Sequence, residues 1–224
     1  PAEAVAVLTL TEEETSKVKE VVEAVGGTCE KQADGSVKVY VHGIPAHAAF
    51  PEGSESAEVK MAGLLKKSGV LDEDAANLMD AICEMFGDYY GAGLNIPFED
   101  EGSGKLTHVG GMCKLENGVF WQDVNIRYNV TAVYEVLMEN ITKTLKAHGF
   151  ELTQFFSLLY RSKLQGSTGT AGSLLPQSGN GIRAICNGRR YLFQKVKTCS
   201  WIWTWHSWKS KTLWYRKRRC SPGR

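Results

Sequence analysis

No acidic residue follows Glu151, although the chain of 224 residues continues for another 73. A segment of that length and average composition would contain roughly nine acidic residues. All 25 Asp and Glu therefore lie in the first part, where 12 Lys and Arg leave a net charge of −13, while the second part has 14 Lys and Arg and a net charge of +14. We infer that the two parts have different origins or different functions.

Other absences restrict the class of protein. No run of eighteen apolar residues occurs, so no membrane-spanning helix is expected. The opening P-A-E-A-V has no basic n-region and no cleavage site, so no signal peptide is expected, and without an initiator Met we expect the chain to begin inside a longer gene product. The six cysteines form no C-x-x-C pair, which favours isolated reduced thiols in a cytoplasmic protein over a disulfide framework.

Strand-like and helix-like patterns alternate through the first 155 residues. Thr11 and Glu14 form a capping-box signature at the start of the first helix, and Asp72 is a candidate cap for the third. The predicted strands are Val5–Leu10, Thr28–Lys31, Ser36–Gly43, Lys105–Leu115, Val119–Tyr128 and Glu151–Phe155. The helices have apolar residues at helical spacing and include Glu55–Lys67, Glu73–Phe86 and Thr131–Ala147. This order predicts an α+β fold, an antiparallel sheet covered by helices on one face.

The periodicity ends at Tyr160. Gly, Ser and Thr crowd Gly166–Gly181, and the chain then contains W-I-W-T-W-H-S-W at Trp201–Trp208 and R-K-R-R at Arg216–Arg219. We predict an irregular tail. Basic residues mixed with Trp are also typical of segments that bind nucleic acid or an anionic membrane, which is the alternative interpretation of this region.

Three stretches of the first part carry a family resemblance. They are V-H-G-I-P-A-H-A-A-F-P-E-G-S-E-S-A at Val41–Ala57, F-G-D-Y-Y-G-A-G-L-N-I-P-F-E-D-E-G-S-G-K-L-T at Phe86–Thr107 and D-V-N-I-R-Y-N-V at Asp123–Val130. In this order and spacing they resemble the lid domain of the dipeptidase branch of peptidase family M-twenty, which includes carnosinases, aminoacylases and bacterial Xaa-His dipeptidases. The resemblance covers residues 1 to about 155.

The resemblance implies an enzyme with two domains. In this family a catalytic domain binds two zinc ions through His, Asp and Glu ligands and contains its general base, and the lid domain, of a lid or dimerisation type, is inserted into its sequence. The opening P-A-E-A resembles the end of the family's N-x-V-P segment, where the lid begins, so the first four ligands would lie upstream. We therefore expect no metal ligand and no bound zinc in this chain. Asn129 and Ser56 depart from the usual Pro and Asn of the family motifs.

The resemblance also assigns roles to two residues. His47 is the lid histidine, the candidate catalytic residue, because peptide hydrolysis builds negative charge on the carbonyl oxygen and a positioned donor lowers that barrier. Arg127 is the candidate substrate-binding residue, because its planar fork suits the terminal carboxylate of a peptide. Three other histidines are interpreted as structural or exposed, namely His42, His108 and His148. The run Glu99-Asp100-Glu101 is interpreted as a solvated acidic loop rather than a metal site.

A shifted reading frame offers an explanation of the tail. Trp has the single codon TGG, so a frame that starts one base later must encode Gly there. For Trp201–Trp208 the shifted frame permits G-F-G-P-G-I-P-G, and for Asn187–Leu192 it permits M-G-G-G-T-Y. The catalytic domain of the family carries G-G-G-T-Y-x-R followed by F-G-P-x-x-P-G. The codons of Ser221-Pro222 permit H-Q, the expected last zinc ligand.

These patterns predict a frameshift between about Phe155 and Lys163 and, in residues 156–224, a frameshift product of the second half of the catalytic domain without a native fold. The whole chain is then a fragment of a cytoplasmic zinc dipeptidase, a hydrolase of small peptides with a free C-terminus, and is inactive alone. No nucleic-acid or membrane partner is expected. The dipeptides cleaved and the oligomeric state are left open. The alternative function is a non-catalytic binding protein with a genuine basic, Trp-rich tail.

Overall fold

The computed structural model describes residues 1–116, 118–158, 180–190 and 196–202. Four helices occupy Glu12–Glu23 (α1), Ala57–Ser68 (α2), Glu73–Phe86 (α3) and Tyr134–Ala147 (α4), and a short 3₁₀ turn occupies Ala92–Leu94. The strands are Glu3–Leu8 (β1), Thr28–Lys31 (β2), Val37–His42 (β3), Glu99–Asp100 (β4), Gly104–Lys105 (β5), Thr107–Glu116 (β6), Val119–Tyr128 (β7), Phe150–Leu158 (β8), Asn180–Arg190 (β9) and Val196–Ile202 (β10).

Local side-chain caps fix where two of the helices begin. At α1 the Thr11 hydroxyl accepts a hydrogen bond from the backbone N–H of Glu14 at 3.2 Å, and the Glu14 carboxylate accepts from the N–H of Thr11 at 2.9 Å. At α3 the Asp72 carboxylate accepts from the N–H of Ala75 at 2.9 Å. These bonds satisfy N–H groups that have no partner inside the helix. The predicted capping box and the predicted Asp72 cap are confirmed.

The sheet is antiparallel throughout, with the strand order β2-β3-β1-β10-β6-β7-β9-β8. Every second residue of β1 and β3 is buried, so one face of the sheet lies in the core. The helices cover that face: α2 contacts β1 and β3, α1 contacts β2, α3 contacts β6, and α4 contacts β8. The predicted α+β fold, with helices over an antiparallel sheet, is confirmed.

The tail differs from the prediction in two segments. The sequence pattern predicts neither helix nor strand from Tyr160 onward, yet β9 lies between β7 and β8, and β10 lies between β1 and β6. A strand joins a sheet through its backbone N–H and C=O groups, which every residue except Pro supplies, so such pairing requires no side-chain periodicity. The other parts of the predicted irregular tail, residues 159–179, 191–195 and 203–224, lie outside the described residues. The frameshift itself stays a prediction.

The segment Asp88–Gly104, which is rich in Gly and acidic residues, includes the 3₁₀ turn and the small β4–β5 hairpin. Among the residues described, no helix is long and apolar enough to cross a membrane.

Candidate functional site

The segment 43–56 between β3 and α2 folds back on itself and carries His47; we call it the His47 loop. Its stem is closed by two backbone hydrogen bonds between Ile44 and Glu55, each 2.9 Å long. Near its tip the N–H of Phe50 donates to the carbonyl of His47 at 2.8 Å. The loop therefore has a defined backbone, although its side chains are largely exposed.

A glycine is required where this loop leaves β3. A Cβ placed on Gly43 would lie 2.2 Å from the carbonyl oxygen of Glu55 and 2.6 Å from the backbone nitrogen of Ala57. Both atoms belong to the backbone, so neither can rotate away. The loop stem can approach the end of β3 this closely because residue 43 has no side chain.

The protonation state of His47 follows from its contacts. Its Nδ1 accepts a hydrogen bond from the backbone N–H of Ala49 at 3.3 Å, so the proton of the neutral ring is assigned to Nε2. Partial burial lowers the pKa of His47, and the positive charge of nearby Arg127 lowers it further. The imidazole is therefore held neutral, with an Nε2–H available as a donor.

Arg127 lies near the end of β7 and is half-buried. Its Nε atom is buried and has no hydrogen-bond partner among the residues that the structure describes. No carboxylate among the described residues forms a salt bridge with this guanidinium. A buried donor without a partner is energetically costly, so Arg127 is suited to receive an anionic group.

One hydrogen bond connects the His47 loop to the strand position opposite Arg127. Thr107, the first residue of β6, pairs with Arg127 across the β6–β7 ladder. Its Oγ1 donates to the carbonyl of Ala48 at 2.9 Å. His47 and Arg127 are 80 positions apart in the sequence, and the structure brings them close enough to interact electrostatically. The role of Thr107 cannot be predicted from the sequence, because a threonine in a strand has no distinguishing pattern.

Two tyrosines hold the other arm of the loop. The Tyr89 hydroxyl accepts from the N–H of Ser56 at 3.2 Å and lies 3.4 Å from the carbonyl oxygen of Ser54, to which it donates. The Tyr90 hydroxyl donates to the Glu52 carboxylate at 2.8 Å. That bond lowers the pKa of Glu52 and raises the pKa of Tyr90. Both tyrosines lie inside the motif at Phe86–Thr107, but the resemblance assigns neither of them a role.

The cleft beside the loop does not include His47 or Arg127. Its volume is about 440 Å³, which includes space open to solvent. Apolar residues of the loop form one wall and residues of α3 and β6 the other, among them Ile44, Pro45, Ala48, Phe86 and Val109. Such a lining suits an apolar group, but the polar chemistry lies with the two residues outside it.

The remaining histidines are accounted for by their surroundings. His108 is fully buried; its Nδ1 accepts from the N–H of Gly91 at 3.1 Å, and its Nε2 lies 2.8 Å from the carbonyl oxygen of Met85. His148 is half-buried, with Nε2 3.7 Å from the Glu84 carboxylate, and His42 is exposed.

The acidic run at residues 99–101 contains one structural residue. The Asp100 carboxylate accepts hydrogen bonds from the hydroxyls of Ser103 and Thr131, each 2.6 Å long. These bonds hold the pKa of Asp100 well below its usual range. Glu99 and Glu101 are exposed. Across the described residues, no group of three or more His, Cys, Asp or Glu could hold a metal ion.

Comparison with known proteins gives one distant relative. No family model matches the chain. The chain is 30% identical over 124 residues to the Bacillus subtilis (strain 168) protein named "Putative dipeptidase YtjP". The match covers 54% of this chain and 26% of the relative, so it spans about a quarter of that protein's length. It indicates a relationship to a dipeptidase at the level of the family.

Proposed function

We propose that residues 1–155 are the lid domain of a zinc-dependent dipeptidase that hydrolyses dipeptides with a free C-terminus. The observation that carries the proposal is the juxtaposition of a histidine donor, His47, with Arg127, which has no anionic partner among the described residues. A dipeptide presents a carbonyl oxygen and a terminal carboxylate a few bonds apart, which matches such a pair of groups. The distant relationship to a protein named as a dipeptidase supports the same class.

His47 acts as a hydrogen-bond donor to the reacting carbonyl. Attack on a peptide bond converts the carbonyl oxygen into an oxyanion, and a donor aimed at that position stabilises the transition state more than the substrate. The hydrogen bond from Ala49 to Nδ1 keeps the Nε2–H tautomer. The lowered pKa means that His47 donates its hydrogen bond as a neutral ring near pH 7.

Arg127 binds the terminal carboxylate of the substrate. A guanidinium can form two parallel hydrogen bonds with a carboxylate, which fixes orientation as well as adding energy. The carboxylate carries its charge before, during and after the reaction, so this contact acts mainly on binding. It also selects for peptides with a free C-terminus.

Among the described residues, no group of three or more His, Cys, Asp or Glu could hold a zinc ion. In the proposed enzyme the two zinc ions and the general base belong to a second domain, which is not among residues 1–155. The chain alone is proposed to be inactive as a peptidase.

The tail is proposed to be a frameshifted copy of part of that second domain. The absence of acidic residues after Glu151 and the Gly codons produced by shifting each Trp codon support this origin. Strands β9 and β10 are compatible with it, because pairing through the backbone makes no demand on residue identity.

The coding DNA with its flanking regions tests the proposal. The expected result is an open shifted frame that encodes the rest of a catalytic domain, with metal ligands both upstream and downstream. An enzyme rebuilt from that DNA should hydrolyse dipeptides and lose activity on chelation. A shifted frame closed by stop codons would reject the frameshift and favour a binding protein with a genuine basic tail. A rebuilt, folded enzyme without peptidase activity would reject the dipeptidase function.

A further inference from the structure

We propose that Thr107 is a positioning residue that holds the His47 loop against the strand carrying Arg127. The inference rests on the proposed function, in which His47 and Arg127 contact opposite ends of one substrate. Two groups that act together on a dipeptide must keep a fixed separation, because a displacement of about 1 Å can cost about 10²-fold in rate. A contact that sets this separation therefore affects the chemistry without touching the substrate.

The position of Thr107 in the sheet is the first argument. It is paired directly with Arg127, and residues paired in this way have Cβ atoms about 4.5–5.5 Å apart. Its side chain is buried, with 6% of the residue exposed. Its hydroxyl donates at 2.9 Å to the carbonyl of Ala48, the residue next to His47. One short side chain thus connects the backbone beside His47 to the position opposite Arg127.

The distribution of contacts along the loop is the second argument. Tyr89 and Tyr90 bond to residues between 52 and 56, on the arm that leads into α2. Within the described residues, the bond from Thr107 is the one that reaches residues 45–50 from outside the loop. Its loss would leave residues 45–50 without a hydrogen bond to the described residues outside the loop.

The test measures the electrostatic interaction between His47 and Arg127 in the 224-residue chain by NMR titration of the His47 ring. Arg127→Gln removes the positive charge and should raise the pKa of His47. Thr107→Val keeps the shape of the side chain but removes its hydroxyl, so it should also raise the pKa of His47. In the variant that combines Thr107→Val with Arg127→Gln, the second substitution should not raise the pKa of His47 further, because the His47 loop has already moved away from residue 127.

Two variants serve as controls. Thr107→Ser keeps the hydroxyl and should retain the wild-type response of His47 to Arg127→Gln. Thr144→Val removes a comparable hydroxyl bond on α4, from Oγ1 to the carbonyl of Leu94 at 3.3 Å. It should lower the melting temperature without changing the pKa of His47. A purely structural role for Thr107 would give the same pattern as Thr144→Val.

The proposal is overturned if Thr107→Val leaves the response to Arg127→Gln intact, or if that response is absent from the unmodified chain. Should Thr107→Val fail to fold, the exchange rate of the Thr107 hydroxyl proton, measured by NMR in the unmodified chain, tests the bond instead. A buried donated hydroxyl should exchange slowly and show a cross-peak to Ala48, and a freely exchanging one would refute the bond. None of these measurements needs peptidase activity. The proposed function can therefore be rejected on the rebuilt enzyme while the positioning role of Thr107 stands, and the positioning role can be rejected while the proposed function stands.

Discussion

The carboxyl group of Glu58 on α2 accepts a hydrogen bond from the side-chain amide of Gln122 on β7 at 3.3 Å, and neither residue is exposed. The other carboxyl oxygen of Glu58, Oε1, is buried and has no hydrogen-bond partner within the described part of the chain. Burial raises the pKa of Glu58 to about 7, although the α-amino group of Pro1 and the hydrogen bonds from Gln122 and Cys113 oppose the shift. The attraction from Pro1 acts only on a chain that begins there. The core thus contains a carboxyl group that favours its protonated form.

Stability should therefore fall as the pH rises. The pKa of Glu58 is higher in the folded chain than in the unfolded chain, so the folded state binds the proton more tightly. The loss begins near the unfolded pKa of about 4.3 and is complete above the folded pKa. Integrated over that window it amounts to roughly 3 kcal/mol. The measurement is the free energy of unfolding in urea at pH 5 and at pH 8.

Glu58→Gln should remove most of this dependence, because the neutral amide has no proton to release and its oxygen can still accept from Gln122. At pH 8 the variant should be more stable than the wild type. Glu30→Gln, at an exposed strand position, is the matched control and should leave the pH dependence unchanged. An equal pH dependence in Glu58→Gln and the wild type would show that Glu58 is ionised in the folded chain.

The fold follows from the sequence where local chemistry determines it. The capping box of Thr11 and Glu14, the Asp72 cap and the alternation in β3 each depend on residues close together in the chain, and the structure confirms them. The order of strands and helices through residue 155 follows from the same patterns. Strand β9 could not be predicted, because it pairs with β7 and β8 through backbone N–H and C=O groups. Nearly every residue type supplies these groups, so the pairing leaves no pattern in the sequence.

The candidate site is less visible in the sequence, because its geometry depends on distant residues. His47 and Arg127 were found through the family motifs, while the bond between Thr107 and Ala48 joins residues 59 positions apart. Glu58 lies in the first turn of a helix, where an acidic residue is usually an exposed partner of the helix dipole. Its burial depends on β6 and β7, which follow it by about fifty residues.

Gly43→Ala should destabilise the chain and displace the His47 loop. The added methyl would meet the backbone atoms of Glu55 and Ala57 at distances that no real contact shows, so the backbone must shift, at a cost of about 1–3 kcal/mol or more. Gly63→Ala on α2 is the control, since a Cβ there meets nothing within 4 Å. It should stabilise the helix by roughly 0.5–1 kcal/mol. Urea unfolding should show a lower free energy of unfolding for Gly43→Ala and a higher one for Gly63→Ala. Changes of the same sign in both variants would contradict the loop geometry.

Asp100→Asn should loosen the junction between the β4–β5 hairpin and the segment before α4. The amide has one acceptor oxygen where the carboxylate has two, so its NH₂ group would face the donors of either Ser103 or Thr131. Hydrogen exchange at these two residues should accelerate, while exposed Glu101→Gln should leave it unchanged. Because the folded pKa of Asp100 is lowered, its stabilisation is present above the ordinary Asp pKa and is lost as the pH falls below it. Equal exchange in wild type and Asp100→Asn would show that these bonds do not hold the hairpin.

His47→Ala in an enzyme rebuilt with the proposed catalytic domain should lower kcat far more than it raises KM. The contact strengthens as the oxyanion forms, and loss of one such donor typically costs about 10²–10³ in kcat. His42→Ala is the control, because His42 is an exposed histidine at the end of β3. Steady-state kinetics on one dipeptide compares the variants. An unchanged kcat in His47→Ala would remove the assigned role.

Arg127→Ala in the same rebuilt enzyme should act mainly on KM and on the preference for a free C-terminus. The substrate carboxylate is charged in the ground state and in the transition state, so its contact with the guanidinium is largely uniform binding. Arg127→Lys should restore only part of the affinity, because an ammonium cannot form the bidentate pair. The decisive comparison is a dipeptide against its C-terminal amide, which retains the scissile bond but lacks the negative charge. Arg127→Ala should raise the KM of the dipeptide strongly and that of the amide little, so that the KM values of the two substrates become similar. Equal losses on both would mean that Arg127 supports the fold of β7 or the loop above it and does not bind the carboxylate.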